Sequence, residues 1–97
     1  MKTNNEFQTV RTIDDLNRVV IPHSLRKQLN WETDVELTLV VSKMGIEFLE
    51  QEGGEYSLDA FGRMVLSNDL MGTMGWNAGD NVVITDPVVG KGVMLSR

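Results

Sequence analysis

The sequence predicts a mostly β body with two short helices, built from two copies of one unit that interleave as a barrel-like whole. Three observations carry this expectation. Asp14, Arg18, Val20, Leu25, Trp31 and Gly45 recur about 45 residues later as Asp59, Arg63, Val65, Leu70, Trp76 and Gly90. Such a period sets the architecture before any local reading does. The segments between turns are short, β-branched and alternating. Finally, 97 residues with 41% apolar content fill one core, whereas half that length is marginal alone. Two units with open strand edges can cover each other.

Each copy reads as strand, turn, strand, short helix, strand, turn, strand. Gln8 to Ile13 alternates and is β-branched, a strand signature. Asp14-Asp15-Leu16-Asn17 is a turn in which Asn17 can adopt a left-handed backbone. Arg18 to Ile21 is a short strand ended by Pro22, which has no N–H for a ladder and suits a helix start. His23 to Leu29 follows as a helix with Leu25 and Leu29 on one face, stopped at Asn30. Val35 to Val41 alternates again, Ser42 to Gly45 turns, and Ile46 to Leu49 closes a hairpin. Gln51 to Gly54 is a joint, too short to link independent domains.

The second copy repeats the plan. Glu55 to Leu58 is its first strand. Asp59 to Gly62 is its turn, with Gly62 where Asn17 stood; both residue types tolerate positive φ. Arg63 to Leu66 is its second strand, and Ser67 or Asn68 caps its helix, which Gly75 stops. Asn81 to Thr85 and Gly92 to Leu95 are the last strands, joined through Asp86-Pro87 and Gly90. The whole is one domain, residues 1–97, with repeat 1 over 8–50 and repeat 2 over 55–97.

Composition excludes several classes of function. Cysteine is absent, so disulfides and thiolate metal sites are out. No apolar run approaches a membrane span, and the N-terminus is polar, without the apolar stretch of a signal peptide. A cytoplasmic protein with no membrane partner is expected. No nucleophile–histidine set, phosphate-cradling glycine loop or metal cluster stands in the chain, so neither an enzyme nor a cofactor is expected. The lone His23 has no second ligand at useful spacing.

The net charge of −5 weighs against nucleic acid taken alone, but charge is unevenly spread. Residues 8–31 carry Arg11, Arg18, Arg26 and Lys27 against Asp14 and Asp15. The matching stretch 55–76 carries only Arg63 against Glu55, Asp59 and Asp69. One copy is locally basic and the other has lost the set: Tyr56 stands for Arg11, Met71 for Arg26 and Gly72 for Lys27. Arg18 alone recurs, as Arg63, which suggests a structural duty at the turn beside Asp14 or Asp15. Trp31 and Trp76 read as core residues behind each helix. Met64, Met71, Met74 and Met94 read as fillers of core or interface, Met71 being the one expected at the surface. Tyr56, Met71 and Gly72 are thereby expected to form a protein contact face.

The run from Val10 to Leu29 (VRTIDDLNRVVIPHSLRKQL) resembles the AbrB/MazE/SpoVT family of swapped-hairpin DNA-binding domains, whose pattern is V-R-x-hydrophobic-D-x-x-G-R, then a hydrophobic residue, V-I-P-x-x-L-R, a basic residue, x and L, followed by a hairpin. The likeness covers residues 8–50, with Asn17 in place of the family glycine; residues 55–97 look like a degenerate second copy. The resemblance implies an AbrB-like swapped-hairpin β-barrel with a pseudo-twofold axis, made here within one chain instead of between two. It implies a transcriptional regulator that binds double-stranded DNA through Arg11, Arg18, Arg26 and Lys27. One chain supplies one basic set, so a homo-oligomer, in its simplest form a dimer of chains, is expected. Two other expectations stand beside this one. The antitoxin of a toxin–antitoxin pair would also bind DNA, but the sequence runs out at Arg97, just after its last strand, where an acidic toxin-wrapping tail would begin. A protein-interaction module that has lost DNA binding fits the net charge.

Overall fold

The computed structural model describes residues 7–87 and 90–97. It is mostly β with two short helices. In chain order these are β1 (Gln8–Thr12), β2 (Arg18–Val20), α1 (His23–Leu29), β3 (Leu37–Val41), β4 (Ile46–Glu50), β5 (Arg63–Val65), α2 (Asn68–Met74), β6 (Asn81–Thr85) and β7 (Gly92–Ser96). The polar N-terminal segment 1–6 and the centre of the last turn, 88–89, lie outside the described residues.

Among the described residues, seven strands form two sheets. The larger has the order β1-β6-β7-β4-β3, and β2 pairs with β5 in a two-stranded ribbon. Every ladder is antiparallel. Apart from the two hairpins, β3–β4 and β6–β7, each ladder joins one repeat to the other: β1 to β6, β2 to β5 and β4 to β7. The ribbon is symmetric about the pair Val19–Met64, with Arg18 opposite Val65 and Val20 opposite Arg63.

The sheet is not closed into a barrel, and the expected eighth strand is missing. Glu55 to Leu58 makes a single bridge, Tyr56 to Leu37, instead of a ladder. Its counterpart β1 makes five pairs with β6. The tether explains the difference. The chain must travel from the end of β4 to Tyr56 in a few residues, and a turn closed by Gly54 N–H to the Gln51 carbonyl uses them. β1 pairs along the full length of β6.

The left-handed positions fall where the turn chemistry puts them. Asn17 and Gly62 have φ of 61° and 77°, and the helix stops Asn30 and Gly75 have 61° and 70°. Ser67 caps α2, its hydroxyl accepting from Leu70 N–H at 3.1 Å. Pro22 occupies the same place before α1 with no side-chain cap.

The core runs between the sheet and the two helices. Val19, Ile21, Leu37, Ile46, Phe48, Met64, Val82, Ile84, Val93 and Leu95 are sealed from solvent, and both tryptophans are buried. Met71, expected at the surface, is buried at 6% exposure. It lies on the inward face of α2, where an apolar side chain can pass under the surface that a guanidinium must stop at. Tyr56 is half-buried, its ring edge-on to Phe48 at 5.8 Å. Of the expected contact face of Tyr56, Met71 and Gly72, only Gly72 is exposed.

Candidate nucleic-acid interface

The four predicted site residues sit on three elements. Arg18 opens β2, and its place is set by the turn before it. Asp14 Oδ1 accepts from Leu16 N–H at 2.9 Å and Arg18 N–H at 2.8 Å, and Oδ2 accepts from Arg18 Nε at 2.7 Å. Asp59 does the same for Phe61 and Arg63, with Nε again at 2.7 Å. Burial alone would raise these carboxyls. The backbone and guanidinium hydrogen bonds outweigh it and hold both below the usual carboxylate range. The carboxylate thus fixes the turn and aims the arginine, the same device in both repeats. Arg18 is clamped by Asp14, not Asp15.

Arg26 crosses between repeats. Its Nε donates to the Ile21 carbonyl at 2.9 Å. Its guanidinium lies against Gly62, so closely that a Cβ there would come within 2.4 Å of Cζ. The absence of a side chain at Gly62 is what lets the group lie flat. Gly62 precedes Arg63, whose own guanidinium is held by Asp59 and lies over Phe61. The recurrence of Arg63 at the turn was visible in the sequence, but the approach of Arg26 to the second repeat's turn depends on pairing between repeats.

Lys27 is exposed on the outer crest of α1. It shares a shallow depression with His23, Arg26 and Asn30. Arg11 folds along its own strand, donating to Thr9 Oγ1 at 3.1 Å and the Val10 carbonyl at 2.9 Å. It opens onto the opposite flank of α1, beside Ser24 and Gln28. The candidates therefore do not form one cluster: Arg26 and Lys27 come together, Arg11 lies across the helix, and Arg18 is on the ribbon. The cause is local. Arg26 is drawn over to Gly62, while β1 runs under the Ser24–Gln28 side.

Ion pairing separates the cations into two groups. Arg18, Arg63, Lys91 and Arg97 pair with Asp14, Asp59, Glu50 and Asp80. Arg11, Arg26 and Lys27 make no ion pair among the described residues, and neither does Lys43 in the turn between β3 and β4.

The ribbon's outer face carries a second feature. Val20 and Val65 are exposed there between Arg18 and Arg63, and the adjoining turns expose Leu16 at 65% and Phe61 at 71%. The Arg63 guanidinium sits 4.9 Å from the centre of the Phe61 ring, within cation–π range.

Comparison with family models, characterised proteins and solved structures finds no match for this chain. No helix among the described residues is long and apolar enough to cross a membrane.

Proposed function

We propose that this protein is an AbrB-like, swapped-hairpin transcriptional regulator that binds duplex DNA through Arg11, Arg18, Arg26 and Lys27. The observation that carries the reading is the division of the cations. Three of the four proposed contacts, Arg11, Arg26 and Lys27, are free of carboxylate partners among the described residues, as is Lys43 in the β3–β4 turn, while Lys91 and Arg97 pair with Glu50 and Asp80. An unpaired guanidinium on a rigid element can meet phosphate or a guanine edge with little ordering cost. Much of the acid that gives the chain its net charge stands elsewhere in the sequence, at Glu36, Glu50, Glu52 and Glu55, for example, while Glu32 lines the same depression as Arg26 and Lys27. Two chains would double the basic set, and the reading therefore includes a homo-oligomer.

The test is a gel shift at low salt with a random duplex pool. Binding is expected, and the triple substitution of Arg11, Arg26 and Lys27 by alanine should weaken it by about tenfold or more, since each lost phosphate contact removes counterion release. Lys91→Ala should leave it unchanged. No shift at low salt, or an unaffected triple variant, rejects the reading.

A second reading has its own observation. The exposed Leu16, Val20, Phe61 and Val65 form an apolar surface of the kind that marks protein contacts. On this reading the protein is an interaction module, or the antitoxin of a pair, and the ribbon holds a protein. Phe61→Ser with Leu16→Ser would abolish partner capture and leave DNA binding intact if the two surfaces are separate.

A further inference from the structure

We propose that β3 is a dimerisation edge, at which two copies of this chain pair antiparallel through Leu39 and Val41 and join their sheets into one.

The inference starts from the asymmetry between the repeats. β6 and β3 are equivalent strands, with Val82 and Ile84 matching Leu37 and Leu39. The outer side of β6 is covered by β1, Arg11 facing Val82 and Thr9 facing Ile84. On β3 only Leu37 is covered, exchanging both backbone bonds with Tyr56 at 2.9 and 3.0 Å. In an antiparallel ladder alternate residues direct their N–H and C=O to the same side. Leu39 and Val41 therefore point outward with Leu37, and no described residue bonds to them. The residue that would reach Leu39 is Gly54, which is held in the tether's turn. The vacancy is thus a consequence of joining the two repeats in one chain.

The edge has none of the usual protection. LTLVV holds no charge, proline or bulge, the devices that keep natural edges from pairing. Val40 and Val41 are exposed at 43% and 46%.

Two registers clear the Leu37–Tyr56 bridge, centred on Val40 or on Val41, and the first keeps more of the pairing within β3. Leu37 is already bonded to Tyr56, so a pairing centred on Leu39, which would set Val41 against Leu37, is blocked. Centring on Val40 sets Leu39 of each copy opposite Val41 of the other. All four outward residues are then paired, and Val40 faces Val40 of the second copy. Charge favours the same arrangement. The strand is preceded by Glu36, with Glu55 following the tether, and is followed by Lys43. Antiparallel pairing brings the Lys43 end of each copy to the Glu36 and Glu55 end of the other. Such a contact is isologous and closes at two chains.

The experiment is carried out on the full chain without DNA, so it stands or falls apart from the DNA-binding reading. Sedimentation at high micromolar concentration should show a two-chain species. Val41→Pro removes an outward N–H and spares the bonds to β4; it should raise the dissociation constant at least about tenfold with little change in melting temperature. The chain has no cysteine of its own, so single cysteines report the register. Facing residues that do not exchange backbone bonds have Cα atoms about 4.5 Å apart, within disulfide reach. Val40→Cys should therefore cross-link to itself under mild oxidation, and Val41→Cys, facing Leu39, should not. A single-chain species at every concentration overturns the proposal, as does equal cross-linking of the two cysteine variants. If Val41→Pro fails to fold, the cysteine pair decides.

Discussion

Gly45 and Gly92 occupy equivalent places in the two repeats, each with its Cα pressed against a carbonyl of the opposite repeat. A Cβ on Gly45 would lie 2.1 Å from the Leu95 carbonyl oxygen, and one on Gly92 would lie 1.9 Å from that of Phe48. Both obstacles are backbone in the central β4–β7 pairing, so neither can move aside cheaply. Gly45→Ala and Gly92→Ala should each destabilise the protein by about 3 kcal/mol or more, the upper range for overpacking. Gly72→Ala is the contrast. Its Cβ meets nothing within 4 Å, and alanine in a helix is better than glycine by about 0.5–1 kcal/mol. Denaturant midpoints should move in opposite directions for the two kinds of change.

The same pair shows what the sequence did and did not make legible. Gly45 aligns with Gly90 by letter, yet its structural partner is Gly92, because the second hairpin is two residues longer. The helix His23–Leu29, its stop at Asn30 and the left-handed Asn17 and Gly62 were all readable, since each rests on local backbone chemistry. So was the Asp14–Arg18 clamp, a contact four residues apart. The lost strand at Glu55–Leu58 was not readable, because a tether's geometry and not strand propensity decides it. Nor was the burial of Met71, which depends on which face of α2 turns inward. The lie of Arg26 on Gly62 crosses between repeats, and nothing within one repeat signals it.

Because three ladders join the repeats, neither half should stand alone. Residues 1–52 retain β3 and β4 but lose every partner of β1 and β2. Expressed separately, that segment should be unfolded or should pair with a second copy of itself. Amide exchange and sedimentation would detect a folded single-chain half, the result that contradicts this. In the full chain, Trp76→Ala should cost about 3–5 kcal/mol, the usual range for emptying a large buried aromatic site.

Acid should act on the two turn clamps. In the folded protein Asp14 and Asp59 titrate below their ordinary value of 3.8. Unfolding therefore favours proton uptake, and the clamps stabilise the fold fully above about pH 4 and lose that effect as pH falls through the lowered values. Asp14→Asn or Asp59→Asn removes the ionised form. The melting temperature of each variant should lie a few degrees below the parent near neutrality, and the gap should close toward pH 2. A gap that stays constant with pH would place the contribution in the hydrogen bonds alone and not in the charge.

Salt should report how many cations meet phosphate. If one chain engages roughly four phosphates, the logarithm of the binding constant should fall with that of salt at a slope of about −3 to −4, and two chains would roughly double it. The slope should then divide the candidates by their pairing. Arg26→Ala and Lys27→Ala remove cations without internal partners and should each flatten it by about one. Arg18→Ala removes an arginine clamped by Asp14 and leaves that carboxylate uncovered, so it should weaken binding through repulsion as well as through the lost contact. Arg18→Ala combined with Asp14→Asn separates the two effects. If Arg18 only orders the turn, the pair should recover DNA affinity while remaining less stable. If Arg18 touches the duplex, the pair should stay weak and its salt slope should be flatter than that of the parent.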